Sequence, residues 1–371
     1  MQVASPALAA ACFSPSYVSA RARFALAADR AGALVDIFTN DIAQAPNGGT
    51  LSTDVAVLGP PRAENAVLIF SGTHGPEGFV GSAAQIALLD ALALRAEALA
   101  VRIVLVHAIN PWGFAHTSRT TENNVDLNRN FIDWDQPPPA NPGYAELHPC
   151  LCPREWTSAA GEAAETARLA WIERHGKDAY VDATARGQYS HADGLHYGGA
   201  AREWSNRTLQ TLVQRHLAGA RRVALIDWHT GLGERGEPFF LCFNEPDSAS
   251  WQRACAWWGR DNVETQSGFD GASRPAYRGL LFHGVQRFVA PAEVTGAVIE
   301  FGTRSRDDMR LALQADHQLK FGGALSDEQR AALREQVLEA FSPFSPDWQR
   351  RVLGHAIAIQ QQVLQGCADW H

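Results

Sequence analysis

Short apolar runs separated by helical patterns do most to limit what this chain can fold into. The runs are "AVLIFSG" (66–72), "VRIVLVHAIN" (101–110), "RVALIDWHTG" (222–231), "PFFLCF" (238–243) and "AVIEFGT" (297–303). Between the first two, "GSAAQIALLDALALRAEALA" (81–100) carries apolar residues at helical spacing, so the default reading is a right-handed βαβ unit. Strands that alternate with helices predict an α/β fold whose mostly parallel sheet is covered by helices. A chain of 371 residues, 46% apolar and 19% charged, can bury a sizeable core. No repeat or low-complexity linker marks a boundary, and residues 1–371 read as a single domain.

Charge and cysteine usage narrow the function classes. The formal charge is −8 and no Lys/Arg-rich block occurs, which argues against nucleic acid or an anionic membrane as partner. No segment approaches the ~18 apolar residues that a membrane span needs. The opening "MQVASPALAAACFSPSY" lacks a basic region and an apolar core of the export type, and "VSARARFALAADRAGA" after it reads as an amphipathic helix. Six scattered cysteines fit reduced thiols, so a cytoplasmic location is expected. The tight cluster "HPCLCP" (148–153) has no second Cys pair to complete a metal site and reads as a plain loop.

Residues 132–200 break the pattern. "DWDQPPPANPGYAELHPCLCPREW" is rich in Pro and poor in periodicity, so residues 133–200 read as a long loop excursion, a type of insertion that usually serves function. Toward the C-terminus, Ser326 with Gln329 makes a capping box and Ser345-Pro346 opens a last helix.

Chemistry-bearing residues collect at the ends of the predicted strands, where open α/β sheets bind ligands. "SGTHGPEG" follows the first strand and delivers His74 and Glu77, an imidazole and a carboxylate that can turn toward one point, as a Zn²⁺ site requires. One HxxE pair is expected by chance, so its place at the strand end carries the weight. In "LIDWHTG", His229 is read as closing an apolar strand just before a Gly-rich turn and supplies a third ligand, with Asp227 two residues earlier as an acceptor for one of the histidines. Two His and a carboxylate leave a coordination position open, the pattern of catalytic zinc. Glu300, in the apolar strand "AVIEFGT", sits where a carboxylate is costly without a task and can act as base. In "SRTTENNVDLNRNF" (118–131), Arg119, Asn128 and Arg129 share a polar loop; one guanidinium can grip a carboxylate and a second can support a developing oxyanion.

"HGPE", "DLNRNF", a strand-end "WHTG" and a strand-end "IEFG", in this order, resemble the zinc carboxypeptidase superfamily, and within it a poorly characterised bacterial branch. The resemblance runs over roughly residues 15–360. It implies a mixed, mostly parallel sheet of about eight strands between helices, and one Zn²⁺ per chain held by His74, Glu77 and His229. It also implies that Asn128 and Arg129 bind a terminal carboxylate, that Arg119 polarises the scissile carbonyl and that Glu300 is general base and acid. Tyr277, at a comparable distance before Glu300, matches the tyrosine of that family's substrate loop. The secretory pro-segment of digestive carboxypeptidases has no counterpart. The function expected is a zinc hydrolase that cleaves an amide bond next to a free carboxylate, on a small peptide or an acylated amino acid. The alternatives are a deacylase of the aspartoacylase or succinylglutamate desuccinylase type and, from another class, a non-catalytic metal- or ligand-binding protein. Those deacylases carry a β-rich domain after the catalytic Glu, whereas the tail here reads as helical.

Overall fold

A computed structural model describes residues 3–263 and 273–371. Helices α1 (Pro6–Cys12) and α2 (Tyr17–Arg30) lead into β1 (Leu34–Gln44) and β2 (Thr50–Leu58). Strand β3 (Asn65–Phe70), α3 (Gly78–Ala93) and β4 (Arg102–His107) then form the βαβ unit. After α4 (Pro111–His116) and a 3-10 turn at Leu127–Arg129 come α5 (Pro142–Leu151), α6 (Ser158–His175), α7 (Lys177–Ala185) and α8 (Trp204–His216). Strands β5 (Arg222–Arg235) and β6 (Pro238–Leu241), helices α9 (Ala249–Trp258) and α10 (Leu281–Val289) and strand β7 (Glu293–Gly302) complete the sheet. The tail is α11 (Arg306–Phe321), α12 (Asp327–Phe341) and α13 (Pro346–Ala368).

The strands are ordered β1-β2-β4-β3-β5-β7-β6. Strands β4, β3, β5 and β7 run parallel, and the antiparallel pairs lie at the two sides. This is the mixed, mostly parallel sheet between helices that the sequence predicts, with seven strands among the described residues rather than about eight. The two N-terminal strands have no counterpart among the sequence-based strand assignments. β1 interrupts its apolar pairs with Asp36, Thr39, Asn40 and Asp41 and is largely exposed, so it lacks the apolar run of a central strand.

Alternation along the strands builds two cores. Val67 and Ile69 face the layer of α1, α3 and α13, while Ala66, Leu68 and Phe70 face α8 and α10. Each of these β3 side chains is fully buried, and burial of a Leu or Phe contributes roughly 1.5–3 kcal/mol. Odd-numbered residues of β5 share the second face: Val223 and Leu225 enter its core, and Asp227 and His229 continue the row beyond it. The polar pair therefore projects on the side covered by α8 and α10, mid-way along β5, where its pairing with β3 ends at Asp227 while its pairing with β7 continues.

Residues 133–200 correct the loop assignment. They fold largely as α5, α6 and α7, and "HPCLCP" lies mostly within α5 despite Pro149. Asn141 caps α5 and Thr157 caps α6 through their side chains, so local start signals were present. Both helices carry apolar residues into a small core of their own around Tyr144 and Leu147. The C-terminal assignments hold: Ser326 and Gln329 make the capping box of α12, and Ser345 caps α13 with Pro346 in its first turn. None of the described helices is long and apolar enough to cross a membrane.

His107, at the end of β4, is fully buried; it stacks on Phe24 at 4.6 Å and shares a 2.9 Å hydrogen bond through Nε2 with Ser82 Oγ. Burial pushes its pKa from 6.5 down to about 4. The unfolded chain therefore takes up this proton first, and the folded state should lose about 3 kcal/mol as pH falls from 6.5 to 4. Urea unfolding at the two pH values should show that loss, and His107→Gln should be less stable at pH 7 yet flatter across the window.

Candidate metal centre

The chain leaves β3 toward β4 on one side and returns to β5 on the other, so the boundary between β3 and β5 is where the strand order reverses. Crevices at such points hold ligands in open α/β sheets. The turn after β3 carries His74 and Glu77; it stays tied to the chain beyond β4 by Ile109 N–H to Ser71 O and Asn110 N–H to Gly72 O. Gly72 takes φ +68°, and a Cβ on Gly75 would fall 2.0 Å from the backbone of Gly113. His229 comes from β5 and pairs in register with Glu300 on the adjacent parallel β7, which sets the two side chains next to each other.

The structure brings His74, Glu77 and His229 together: one ligand atom from each lies within 4.8 Å of the others, and all three side chains are buried. The Nδ1 atoms of both histidines lie 3.0 Å from Glu77, one on each carboxylate oxygen. Thr230 N–H donates to Glu77 Oε2 at 3.0 Å. Behind the rings stand two more carboxylates. Asp126 Oδ1 is 3.1 Å from His74 Nε2, and Asp227 Oδ2 is 2.9 Å from His229 Nε2. The latter contact is poorly aligned for a hydrogen bond, but at this range the charge of a buried carboxylate still favours a proton on Nε2. Thr73 Oγ1 donates to Asp227 Oδ1 at 2.7 Å and fixes that carboxylate. Protons held on both Nε2 atoms leave both Nδ1 lone pairs facing one point beside Glu77, the donor set of a divalent zinc ion.

Charge leads to the same donor set. Glu77, Asp126, Asp227 and Glu300 crowd the centre, and Arg119 sits among them. Burial alone would raise the Glu77 carboxyl, but His74 and His229 outweigh it and hold the group well below its usual range. Burial alone would likewise lower His229, but Asp227 and Glu77 lift it well above the ordinary histidine range. Without a metal, a protonated imidazole supplies the positive charge that the carboxylates demand, so the residues fit a bound cation. Glu300 is raised to about 7, first by burial and then by the charge on Glu77.

The arginines divide. Arg119 Nη1 donates to Glu77 Oε1 at 3.1 Å and Nε to Asp126 Oδ2 at 3.2 Å. Its backbone N–H donates to Asp316 Oδ2 at 2.9 Å, and Lys320 bonds the same carboxylate, so α11 anchors the loop that presents it. Arg129 lies across the cavity, with Nε and Nη2 on Ala185 O at the end of α7 and Nη1 on Asn128 O. Its guanidinium sits 5.1 Å from the ring centre of Tyr277. Asn128 Oδ1 accepts from Leu281 N–H at 2.8 Å. Arg119, Asn128, Arg129 and Tyr277 line one cavity of about 600 Å³, together with Arg168, Tyr180 and Val181 from the 133–200 excursion.

Two residues of the centre have no role in the sequence-based assignment. Asp126 opens the "DLNRNF" motif and takes four donors: His74, His196, Arg119 and the Asn128 N–H. His196 lies in the Gly/His/Tyr-rich stretch before α8; its spacing from every other motif is irregular, so only folding reveals it. A Gly75→Ala variant forces backbone apart at the turn that carries His74 and Glu77. It should lose roughly 1–3 kcal/mol in urea unfolding, whereas Gly161→Ala, with open space around its Cα, should not.

A family model described as "Protein of unknown function (DUF2817)" matches residues 13–355. No curated protein matches. Among solved structures, bovine thrombin-activatable fibrinolysis inhibitor in complex with tick carboxypeptidase inhibitor is similar at 11% identity and TM-score 0.51, over 96% of this chain and 98% of that one. A further structure of thrombin-activatable fibrinolysis inhibitor aligns at 12% identity and TM-score 0.50, over 95% of this chain and 74% of that one. At such identities the likeness is one of fold. The chain belongs to the DUF2817 family and has the fold of the metallocarboxypeptidases.

Proposed function

We propose that this protein is a zinc-dependent hydrolase that cleaves an amide bond next to a free carboxylate. The observation that carries the reading is the convergence of both Nδ1 atoms on Glu77, with Glu300 in register beside His229 and Arg129 at the same cavity. A zinc ion, when bound by His74, Glu77 and His229, supplies Lewis acidity that acidifies water and polarises a carbonyl. Glu300 accepts a proton from the attacking water and returns it to the leaving amine, a task suited to a carboxyl with pKa near 7. Arg119 spends two N–H donors on Glu77 and Asp126 and keeps three to support the oxyanion as it forms. Arg129 spends three donors on backbone carbonyls and keeps two, the number a carboxylate takes in bidentate fashion. Tyr277, stacked beside Arg129, would close that end of the cavity.

The excursion supports small substrates, because α6 and α7 wall the cavity with Leu169, Tyr180 and Val181. Peptides of two or three residues should be cleaved and folded proteins should not. Helices α11, α12 and α13 follow β7, with no β-rich domain among the described residues, which supports a peptidase over a deacylase reading.

Dialysed protein should bind one zinc per chain by metal analysis, and His229→Ala should bind none. Glu300→Gln should keep the metal and lose turnover. For the wild type, kcat/KM should rise with pH as Glu300 loses its proton. The midpoint should lie no higher than about 7, since a cation at Glu77 relieves part of the repulsion that raises it. Loss of a charge-assisted contact costs about 2–4 kcal/mol. Arg129→Ala should accordingly raise KM by ten- to several-hundred-fold, and Arg119→Ala should lower kcat by a similar factor. The opposite pattern would reverse the two roles.

A further inference from the structure

His196 stands in the cavity wall beside Arg119, and both donate to the same atom, Asp126 Oδ2, at 3.1 and 3.2 Å. A carboxylate only accepts, so the proton of this imidazole resides on Nδ1 and the lone pair on Nε2. Nε2 has no hydrogen-bond partner among the described residues. Burial pushes the ring's pKa down to about 4, so it is neutral near pH 7. The wall therefore presents a hydrogen-bond acceptor next to a guanidinium.

A simple tether for Asp126 does not account for this arrangement. Asp126 is already held by His74, by Arg119 and by the Asn128 N–H. His196 also adopts φ +52°, a left-handed conformation that His takes more readily than most residues with a side chain.

We propose that His196 contacts the substrate, its Nε2 accepting a hydrogen bond from an N–H on the acyl side of the scissile bond. The inference rests on the hydrolase reading above. With the terminal carboxylate at Arg129 and the carbonyl oxygen at Arg119, His196, which shares Asp126 with Arg119 and lines the same cavity, would face the remaining acyl portion. A peptide carries an N–H one carbon from the scissile carbonyl; an acetyl or succinyl group carries none. The favoured substrates are then peptides or aminoacyl conjugates rather than simple N-acyl amino acids, and an amide N–H and a free ammonium satisfy the same acceptor.

The test pairs substrates with variants. Acetyl-Ala-Phe, its depsipeptide isostere with oxygen in place of the Ala N–H, free Ala-Phe and propionyl-Phe are compared on the zinc-loaded wild type and on His196→Phe. In the wild type, kcat/KM should fall roughly ten- to a hundredfold from acetyl-Ala-Phe to its isostere, the range for a lost hydrogen bond in a buried site. In His196→Phe the two should differ by less than about threefold. Free Ala-Phe faring like acetyl-Ala-Phe would extend the contact to ammonium, and its faring like propionyl-Phe would confine it to amide N–H. Metal analysis and thermal unfolding of the variant check that the site is intact, and His196→Asn, which also fits the left-handed backbone, serves if His196→Phe fails to fold. Equal ratios in wild type and variant would overturn the contact and leave the hydrolase reading standing. No turnover of any of the four by the wild type would overturn both.

Discussion

One carboxylate shared between two imidazoles organises this protein. Glu77 is almost wholly buried and contacts His74, His229, Arg119 and the Thr230 N–H. An ionised carboxylate so deep would cost several kcal/mol if any of these were withdrawn without replacement. The turn after β3, the middle of β5 and the loop before "DLNRNF" therefore converge because they must satisfy one charge. Asp126 repeats the device a few ångströms away and binds His74, His196, Arg119 and its own turn into a second hub.

The sheet makes this economy feasible. Strand β3 stops opposite Asp227 while β5 runs on beside β7, and the register of β5 with β7 matches His229 to Glu300 without help from loops. The apolar rows of β3 and β5 give the rigid base on which a turn as tight as 71–78 can be held. The less regular pieces are fixed by polar anchors. Asp316 and Lys320 on α11 hold the Arg119 loop, and the carboxylates of Asp178 and Asp182 on α7 take N–H groups of Ser273 and Ala276 just before Tyr277. Helix α7 also gives Arg129 its carbonyl partner. An excursion that reads as a loop is thus a structural wall that touches both Arg129 and the segment that leads to Tyr277.

Most of the fold and the core of the candidate site were legible in the sequence. Central strands buried on both faces leave continuous apolar runs, and all five runs mark real strands. Polar residues just after or inside those runs, in "HGPE", "WHTG" and "IEFG", mark the candidates because a buried strand is a costly place for His or Glu. The edge strand β1 was not legible, since one exposed face removes the apolar run, and Pro-rich spacing concealed α5 to α7 although their caps were present.

The amino-acid sequence by itself determined the α/β class, the strands that carry the candidate residues and the identities of His74, Glu77, His229 and Glu300 as chemical candidates. Those properties are local: side-chain period, burial on both faces and the turn that follows a strand. Only the tertiary structure decided which carboxylate orients which histidine, how many donors each arginine has left, and that His196 belongs to the cavity. Those are contacts over 50 to 200 residues of chain, and they exist because the sheet order closes the loops onto one crevice, a geometry that local patterning does not encode.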